Sequence, residues 1–311
     1  EFGLAGAEIM CENLIYELNN LSHTVIVVSM YDYHSAITER LEKAGIEIRY
    51  LNKKPGFDFS IIGKIKKVLI DTNADVVHTH RYCAQYAIPA AIMARVKHRV
   101  HTVHSVADKE NNKFARVVNK CFFKHCNLIP VALSNLIRDS IVKEYGINKE
   151  KIPVIYNGID LSKCHPKTDC TVDMSFKILH IGRFSEPKNH IGLLEAFNLF
   201  HNSHPDSELW LVGDGEKKAE IEHYVSENNL TTSVKFLGLQ SDVYGYLHDA
   251  DMFTLPSKYE GIPITIIEAL GTGLPIVASN VGGIPDMITN GKDGLLCEPT
   301  VDSVVEKLEQ F

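Results

Sequence analysis

Short runs of apolar, often β-branched residues alternate along the chain with longer stretches in which apolar side chains recur every third or fourth position. The longer stretches, such as residues 7–18 and 61–70, have the period of amphipathic helices. In the first half, the short runs predict strands at Thr24–Ser29, Glu47–Leu51, Ala74–His78, Arg99–Val103, Leu128–Ala132 and Ile152–Ile155. Such alternation is typical of a parallel sheet covered by helices.

A second alternating set follows residues 157–175, which are rich in Gly, Pro, Asp, Lys and Cys, have no clear period and read as a linker. Its strands are predicted at Lys177–Ile181, Glu208–Val212, Val234–Leu237, Met252–Leu255, Pro275–Ala278 and Gly294–Cys297. The expected fold class is α/β, with two tandem Rossmann-like domains at residues 1–166 and 167–311. Their sheets would face a central cleft, because such sheets bind ligands at the carboxyl ends of their strands.

From the sequence alone, both ends of the chain look incomplete. Gly3 to Glu8 would suit the turn after a first strand, but no strand precedes it, and the first strand of such a sheet is normally central. Phe311 falls within an apparent helix. We therefore expect that an N-terminal strand and a C-terminal helical tail are missing.

Composition excludes several protein classes. With 45% hydrophobic and 23% charged residues, the 311-residue chain is ordinary globular material. The seven cysteines form an odd set without a Cys-x-x-Cys pair, which argues against both a disulfide framework and a zinc site. We therefore expect reduced, mostly buried thiols. No apolar run approaches the roughly 20 residues that a membrane-spanning helix needs, and we expect no signal peptide before the first motif. We expect a cytoplasmic protein, soluble or peripheral at the inner face of the membrane.

Charge divides unevenly between the two halves. Residues 1–166 hold 22 basic and 17 acidic residues, net +5, whereas the remainder holds 10 and 22, net −12. A basic N-terminal half could face an anionic acceptor or a lipid surface, or it could simply be a solvated surface of different composition. One predicted helix favours peripheral contact with a membrane because it combines cations and aromatics, namely Lys113, Arg116, Lys120, Lys124, Phe122 and Phe123.

The strongest chemical signal is Lys258-Tyr-Glu260-Gly-Ile-Pro-Ile-Thr-Ile-Ile-Glu268. Glu260 follows a predicted strand, and Gly261 and Pro263 open a helix whose free N–H groups could meet an anion or sugar hydroxyls. Glu268, two turns on, could accept hydrogen bonds from vicinal hydroxyls such as those of a ribose. The same spacing would also fit a helix cap and a surface charge.

Further candidate residues lie where other predicted strands end. Arg183 and Lys188, after Gly182, offer a planar fork and a mobile charge that would suit the two phosphates of a leaving group. His80 and His104 follow the ends of two strands at the expected ligand edge. A glycine turn containing Gly6 begins the first helix, where the backbone could approach a ligand closely.

Together these segments resemble the retaining GT-B-fold glycosyltransferases of family four, over nearly the whole chain. The resemblance implies that Glu260 contacts the donor sugar and Glu268 the ribose. It implies a diphosphate clamp of Gly182, Arg183 and Lys188 and an active-site histidine at His104, with His80 on the acceptor side. Gly6, Gly261, Ile262 and Pro263 complete the implied donor contacts, although Ala5 stands where the family's turn usually has its first glycine.

The implied function is retaining, metal-independent transfer of a hexose-type sugar from a nucleotide diphosphate donor, expected to be a UDP-sugar. A cell-surface polysaccharide or lipid-linked saccharide would be the acceptor, with no cofactor and no nucleic-acid partner. Asp249 and Asp251 have the spacing with which another glycosyltransferase fold holds a metal, but here they span a helix end and a strand start and read as structural. The alternatives are a GT-B nucleotide-sugar epimerase and a non-catalytic two-domain sugar-binding protein.

Overall fold

The structure is a computed structural model that describes residue 3 and residues 6–110, 112–166 and 175–311. The chain forms two compact units, one ending at Asn157 and the other beginning at Gly158. This division lies within the segment predicted as a linker, on the N-terminal side of the predicted boundary after residue 166. Ala5 and Cys170 lie outside the described residues.

In the residues that the structure describes, the N-terminal unit has five parallel strands: β1 Ile26–Ser29, β2 Glu47–Tyr50, β3 Val76–His80, β4 His98–Val103 and β5 Leu128–Ala132. Its helices are α1 Gly6–Asn20, α2 Ala36–Lys43, α3 Ser60–Asp71, α4 Ala84–Met93, α5 Ala107–Glu110, α6 Lys113–His125 and α7 Asn135–Tyr145. Among the described residues, β1 pairs with β2, and β3, β4 and β5 form a separate sheet in that order. The sequence predicted one sheet, but within the described part of the chain no ladder joins these two groups of strands.

One predicted strand of this unit is wrong. Residues 152–155 form only an isolated bridge between Val154 and Ala132. Ala132 donates its N–H to the Pro153 carbonyl and accepts from Ile155. Because Pro153 has no N–H to donate, a regular ladder does not continue through this segment.

Helix α4 packs against both α3 and α6. The inward side of α3 buries Ile61, Ile65 and Leu69, and that of α6 buries Ala115 and Phe123. The three helices therefore form one layer, as expected when successive parallel strands are joined by right-handed crossovers.

The C-terminal unit contains β6 Phe176–Ile181, β7 Ser207–Val212, β8 Val234–Gly238, β9 Met252–Leu255, β10 Ile276–Ser279 and β11 Leu295–Cys297. They form one parallel sheet in the order β11-β10-β9-β6-β7-β8. Its helices are α8 His190–Ser203, α9 Lys218–Glu227, α10 Tyr244–Asp249, α11 Ile264–Gly271 and α12 Val301–Leu308. Strand order reverses between β6 and β9, which is where open α/β sheets bind ligands.

Two smaller expectations also need correction. The last helix ends at Leu308, so Phe311 is not helical. The six described cysteines are free as predicted, but only Cys11 and Cys297 are buried and Cys121 is exposed. Among the described residues, no helix is both long and apolar enough to cross a bilayer.

Candidate active site

Lys188 and Glu260 form a close ion pair at the point where the strand order of the C-terminal sheet reverses. Lys188 Nζ lies 2.6 Å from Glu260 Oε1. The same carboxylate oxygen accepts a 2.6 Å hydrogen bond from Ser257 Oγ. Lys188 follows β6 and Glu260 follows β9, and these strands are neighbours. Glu260 is only 8% exposed and Lys188 is half-buried, so the carboxylate of the pair is largely removed from water.

The backbone around Lys188 is held to the strand-end loop that carries Glu260. The Lys258 N–H donates to the Pro187 carbonyl at 2.8 Å. Asn189 adopts a left-handed conformation and its side-chain amide donates to the Pro256 carbonyl at 3.1 Å. A Cβ at Gly182 would lie 3.3 Å from Lys188 Cδ, so the missing side chain lets the lysine stem pass close to the backbone. These contacts fix the lysine before any ligand arrives.

A glycine pair after β10 supports the Glu260 loop from the other side. Gly282 has φ +60°, and a Cβ there would lie 1.9 Å from the Glu260 carbonyl oxygen. The Gly283 N–H donates to the Gly261 carbonyl at 2.9 Å. Only glycine allows both the left-handed conformation and this approach. The glycine pair therefore shapes the site through its backbone.

The predicted donor segment Gly261, Ile262 and Pro263 precedes α11. Ile262 and Pro263 are buried, and Gly261 is half-buried. Pro263 is the N-cap of this helix, which begins at Ile264. The segment thus leads from the buried Glu260 directly into the free N–H groups of that helix.

Arg183 pairs with a different carboxylate from the one that Lys188 contacts. Its guanidinium bonds to Glu216, with Nη2 3.0 Å and Nε 3.2 Å from Oε2. The side chain is 71% exposed. The two members of the predicted clamp therefore have different carboxylate partners, and Arg183 remains accessible to an anion.

Glu268 lies on α11 and is almost fully buried. Burial, together with the charge of Asp242, raises the pKa of its carboxyl to about 7, partly opposed by Lys163. Its surroundings also include Tyr244 and Cys164, whose own pKa values are raised by burial and by Glu268. Glu268 therefore belongs to a different environment from that of the Lys188–Glu260 pair.

In the N-terminal unit, the imidazole rings of His80 and His104 are in hydrogen-bond contact. His80 Nδ1 lies 3.0 Å from His104 Nε2. Burial lowers the pKa of His104 to about 4, with further contributions from Arg81 and His78. Burial and the neighbouring imidazoles lower the pKa of His80 to about 2. Both rings are therefore neutral at physiological pH, and one nitrogen of the contact must donate while the other accepts.

Three charged residues that the sequence did not single out surround this pair. Arg81 directly follows His80, has a positive φ of 53° and forms an ion pair with Glu8 at 3.2 Å. Glu110 accepts the backbone N–H of His104 at 2.7 Å, and burial raises the pKa of its carboxyl to about 8. A positive φ at a non-glycine residue is uncommon and costs backbone energy, and the sequence alone does not reveal it.

The remaining predicted contact of this unit is Gly6, the first residue of α1. It is exposed, and a Cβ there would have no described protein atom within 4 Å. Glu8, two residues on, has its second carboxylate oxygen buried, and no hydrogen-bond partner for it is found in the described part of the chain.

The Asp249 and Asp251 pair has a structural contact. Asp251 accepts the backbone N–H of Lys177 at 2.9 Å and thereby fixes the start of β6. Within the ranges that the structure describes, no group of three or more His, Cys, Asp or Glu side chains could hold a metal ion.

Two family models match consecutive parts of the chain. Residues 4–163 match Glycosyltransferase Family 4, and residues 171–311 match Glycosyl transferases group 1. Their ranges follow the two compact units of the structure.

Two related proteins agree with both family-model matches. The chain is 33% identical over 271 residues to UDP-Gal:alpha-D-GlcNAc-diphosphoundecaprenol alpha-1,3-galactosyltransferase of Escherichia coli, covering 81% of this chain and 70% of that protein. It is 30% identical over 268 residues to N-acetyl-alpha-D-glucosaminyl L-malate synthase of Bacillus anthracis, covering 78% and 66%.

Solved structures agree on the fold. HepE of Anabaena in complex with UDP-glucose superposes with a TM-score of 0.85 at 21% identity, over 98% of this chain and 86% of that one. The fold is mixed α/β with parallel sheets, and its structural neighbours are GT-B glycosyltransferases. The family-model matches and the Escherichia coli relative together show that this chain belongs to glycosyltransferase family 4, among the group 1 glycosyl transferases.

Proposed function

We propose that this chain transfers a hexose-type sugar from a UDP-sugar, with retention of anomeric configuration, to a cell-surface polysaccharide or lipid-linked saccharide. The single observation that carries the proposal is the Lys188–Glu260 ion pair, 2.6 Å apart, where the strand order of the C-terminal sheet reverses. That position in an open parallel sheet is the usual ligand site. At that position a lysine can bind a charged phosphate, and a carboxylate can accept hydrogen bonds from a polar sugar.

The donor end of the reaction requires stabilisation of a leaving nucleoside diphosphate. Lys188, and Arg183 once it exchanges Glu216 for a phosphate, would supply positive charge without a metal ion. Glu260 would accept hydrogen bonds from sugar hydroxyls, and Glu268 from the ribose. Gly182, Gly261, Ile262 and Pro263 would contribute backbone close to the phosphates and sugar. Preorganised charges of this kind typically contribute about 3 kcal/mol each to the transition state.

For the acceptor side we assign the N-terminal unit. His104 would orient the donor sugar as a neutral hydrogen-bonding group, and His80 would contact the acceptor and hold His104. Gly6 would leave room for donor phosphates or acceptor at the start of α1. The bond between the anomeric carbon and the phosphate oxygen breaks as the acceptor oxygen bonds to the same face. The acceptor's proton passes to the departing phosphate, so no protein base is needed.

The names of the relatives support this choice of substrates. The Escherichia coli relative is named for UDP-Gal as donor and a diphosphoundecaprenol-linked sugar as acceptor. HepE was solved with UDP-glucose. We further propose a cytoplasmic location, with peripheral contact at the inner face of the membrane where a lipid-linked acceptor would lie.

A thermal-shift screen against nucleotide sugars, followed by nucleotide-release assays with saccharide and lipid-linked acceptors, tests the proposal. A bound donor at about one hundred times its Kd would stabilise the fold by roughly 2.7 kcal/mol. A transferase releases UDP only when an acceptor is added. An epimerase would change the sugar without an acceptor, and a binding protein would release no nucleotide; either result would refute transfer.

A further inference from the structure

Two histidines are buried close to Lys188 in the C-terminal unit, His180 near the end of β6 and His190 at the start of α8. His180 is 0% exposed and His190 is 3% exposed. Within the described residues, His180 Nε2 and both ring nitrogens of His190 have no hydrogen-bond partner. Native proteins rarely leave buried polar atoms without a partner, so these exceptions call for a physical explanation.

His180 lies where strands β6 and β9 separate. In the described residues, the ladder between these strands ends at the pair of Leu179 and Phe253. The next residue of β9, Thr254, has its carbonyl oxygen 3.0 Å from Nδ1 of the His180 ring. The imidazole thus holds β9 at the point where backbone pairing has stopped. This point is also where the strand order reverses and where such sheets bind ligands.

The surroundings of His180 allow only one tautomer of its ring. Burial holds the pKa of the imidazole well below its ordinary value, and His190 and Lys188 lower it further, so the ring is neutral. A neutral imidazole has one N–H, and a carbonyl oxygen can only accept a hydrogen bond. The proton is therefore on Nδ1, which donates to the Thr254 carbonyl. Nε2 keeps an unshared electron pair and can only accept.

This acceptor nitrogen lies close to the side chain of Lys188. A Cβ at Gly182 would be 3.1 Å from His180 Nε2, 3.3 Å from Lys188 Cδ and 3.4 Å from Lys188 Cε. The imidazole nitrogen and the end of the lysine stem therefore lie on either side of one point, which glycine leaves open. Lys188 Nζ is the next atom after Cε, and it contacts Glu260 at 2.6 Å.

His190 fixes the orientation of the His180 ring. The two rings make a T-shaped contact with centroids 4.7 Å apart, and His190 packs in the same way against Phe184 at 4.6 Å. Burial and the charge of Lys188 lower the pKa of His190 to about 4, so this ring is also neutral and does not repel the lysine. An apolar ring at position 180 could fill the same space, but it would offer no nitrogen lone pair to an ammonium group.

We infer that His180 positions Lys188: its Nε2 accepts a hydrogen bond from the Lys188 ammonium once a donor diphosphate draws that ammonium away from Glu260. The ammonium has three N–H groups, so it can contact the phosphate and the imidazole together. Glu260 is then available to accept hydrogen bonds from the donor sugar. The inference rests on the proposed function in taking a nucleoside diphosphate as the ligand of Lys188.

Calorimetric titration of UDP into His180→Asn and His180→Gln tests the inference, because the two amides replace different ring nitrogens. Asn places an N–H near the position of Nδ1 and can still donate to Thr254, but it has no atom at the position of Nε2. Gln places its amide near the position of Nε2, where its oxygen can accept, and loses the Nδ1 donor. Each substitution is also made in Lys188→Ala.

His101→Asn and His101→Gln are the matched controls. His101 is as fully buried as His180 but belongs to the N-terminal unit. Its Nδ1 lies 2.9 Å from Thr79 Oγ1, and its Nε2 has no partner in the described part of the chain. These variants therefore report what the same change of a buried imidazole does away from Lys188. Thermal unfolding of every variant verifies that it is folded.

We expect His180→Asn to weaken UDP binding about tenfold while most of the stability remains. His180→Gln should be less stable but should bind UDP almost as the wild type does. A role confined to packing predicts the reverse order, because Asn keeps the bond to Thr254. In Lys188→Ala neither substitution should raise the Kd further, since His180 acts through the lysine. The His101 variants should bind UDP with the wild-type Kd.

Nitrogen-15 NMR of the wild type tests the same inference without a substitution. His180 Nε2 should be unprotonated, and its resonance should move towards that of a hydrogen-bonded nitrogen when UDP is added. A protonated Nε2, or a resonance that UDP leaves unchanged, would overturn the inference. Wild-type affinity in His180→Asn would do the same, as would an equal loss of affinity with and without Lys188.

Titrations with GDP and ADP distinguish a failure of this inference from a failure of the proposed function. A Lys188-dependent effect of His180 on GDP or ADP binding, in a protein that does not bind UDP, would refute the UDP-sugar donor and support the inference. UDP binding that is indifferent to His180→Asn would overturn the inference and leave the proposed function in place. A wild type that binds none of the three nucleotides would overturn both.

Discussion

Lys188 Nζ and Glu260 Oε1 are 2.6 Å apart in a site where the carboxylate is almost fully buried and Ser257 supplies its other hydrogen bond. Removing the lysine leaves a buried carboxylate with one neutral partner. We expect Lys188→Ala to destabilise the C-terminal unit by about 3 kcal/mol and to lower the transfer rate about 100-fold. Chemical denaturation and nucleotide release measure the two effects.

The companion variant Glu260→Gln separates charge from shape. It keeps an acceptor for Ser257 and Lys188 but removes the negative charge. We expect most of the stability to remain while the rate falls. A Glu260→Gln enzyme with the wild-type rate would exclude Glu260 from contact with the sugar.

Gly282→Ala should disturb the site through backbone contact alone. The added Cβ would lie 1.9 Å from the Glu260 carbonyl oxygen at a residue with φ +60°. We expect a loss of more than about 2 kcal/mol of stability and weaker donor binding, because the Glu260 loop must shift. Denaturation and UDP titration provide the measurements.

Gly291→Ala is the matched control, since Gly291 has φ +78° with no described atom within 4 Å of a Cβ. Only conformational strain of about 1 kcal/mol should appear there, with donor binding unchanged. Equal effects of the two substitutions on donor binding would show that the Gly282 contact does not shape the site.

Glu268 should make stability depend on pH. Its carboxyl has an ordinary pKa of 4.5 and a raised pKa of about 7 in the fold. The folded state therefore holds the proton more tightly, and stability declines as pH rises from the lower value through the higher one. The loss approaches about 3 kcal/mol and is complete above the raised pKa.

Glu268→Gln removes this titration. The variant should unfold at higher denaturant than the wild type at about pH 8, and the advantage should disappear at about pH 4.5. Other raised carboxyls, such as Glu110, are common to both proteins and cancel in the comparison. The same variant should bind UDP more weakly if Glu268 receives the ribose hydroxyls. A pH-independent difference in stability would contradict a raised pKa at Glu268.

The His80–His104 contact should matter as a neutral hydrogen bond. Both pKa values are lowered, to about 2 and about 4, so neither ring gains charge across neutral pH. We expect His80→Ala to reduce kcat/KM about tenfold or more, and His80→Asn to retain most of it because the amide can still meet His104. The pH profile of the wild type should be flat across neutral pH for these groups. The wild-type rate could instead change with pH near the ordinary histidine pKa, and this change could be absent in His104→Ala. That result would contradict neutral imidazoles.

Arg183 should affect the rate and not the fold. Its exposed pair with Glu216 is a surface contact of little energetic value. We expect Arg183→Ala to leave the unfolding midpoint unchanged and to lower the rate by a factor on the order of 100. Glu216→Gln should leave the rate unchanged or raise it, since it frees the guanidinium. A loss of rate in Glu216→Gln that matches the loss in Arg183→Ala would instead make the ion pair itself the functional unit.

Hydrophobic periodicity was sufficient to predict most strands, because a buried parallel strand is a short run of apolar residues. The ends of the run then indicate the ends of the strand. Leu128–Ala132 and Met252–Leu255 have the predicted limits, whereas residues 152–155 do not form a strand, because Pro153 interrupts the ladder. The resemblance to the family's motifs selected Lys188 and Glu260 as candidates, and the structure brings these two residues together. The contact of Gly282 with Glu260 and the positive φ of Arg81 depend on tertiary geometry and have no periodic signature. The burial of Phe123 on α6 was likewise not predicted, because a helix's apolar residues do not reveal which of its faces the sheet covers.

Calorimetric titration of UDP into the wild type and Lys188→Ala, in EDTA, tests the central claim most directly. Lys235→Ala serves as control, because Lys235 is an exposed lysine of the same unit whose Nζ donates to the Thr232 carbonyl. The account predicts UDP binding without a metal ion in the wild type and the control. Lys188→Ala should raise the Kd about 100-fold while remaining folded. An unchanged Kd in Lys188→Ala, or wild-type binding that appears only when magnesium is restored, would contradict a donor site built on the Lys188–Glu260 pair.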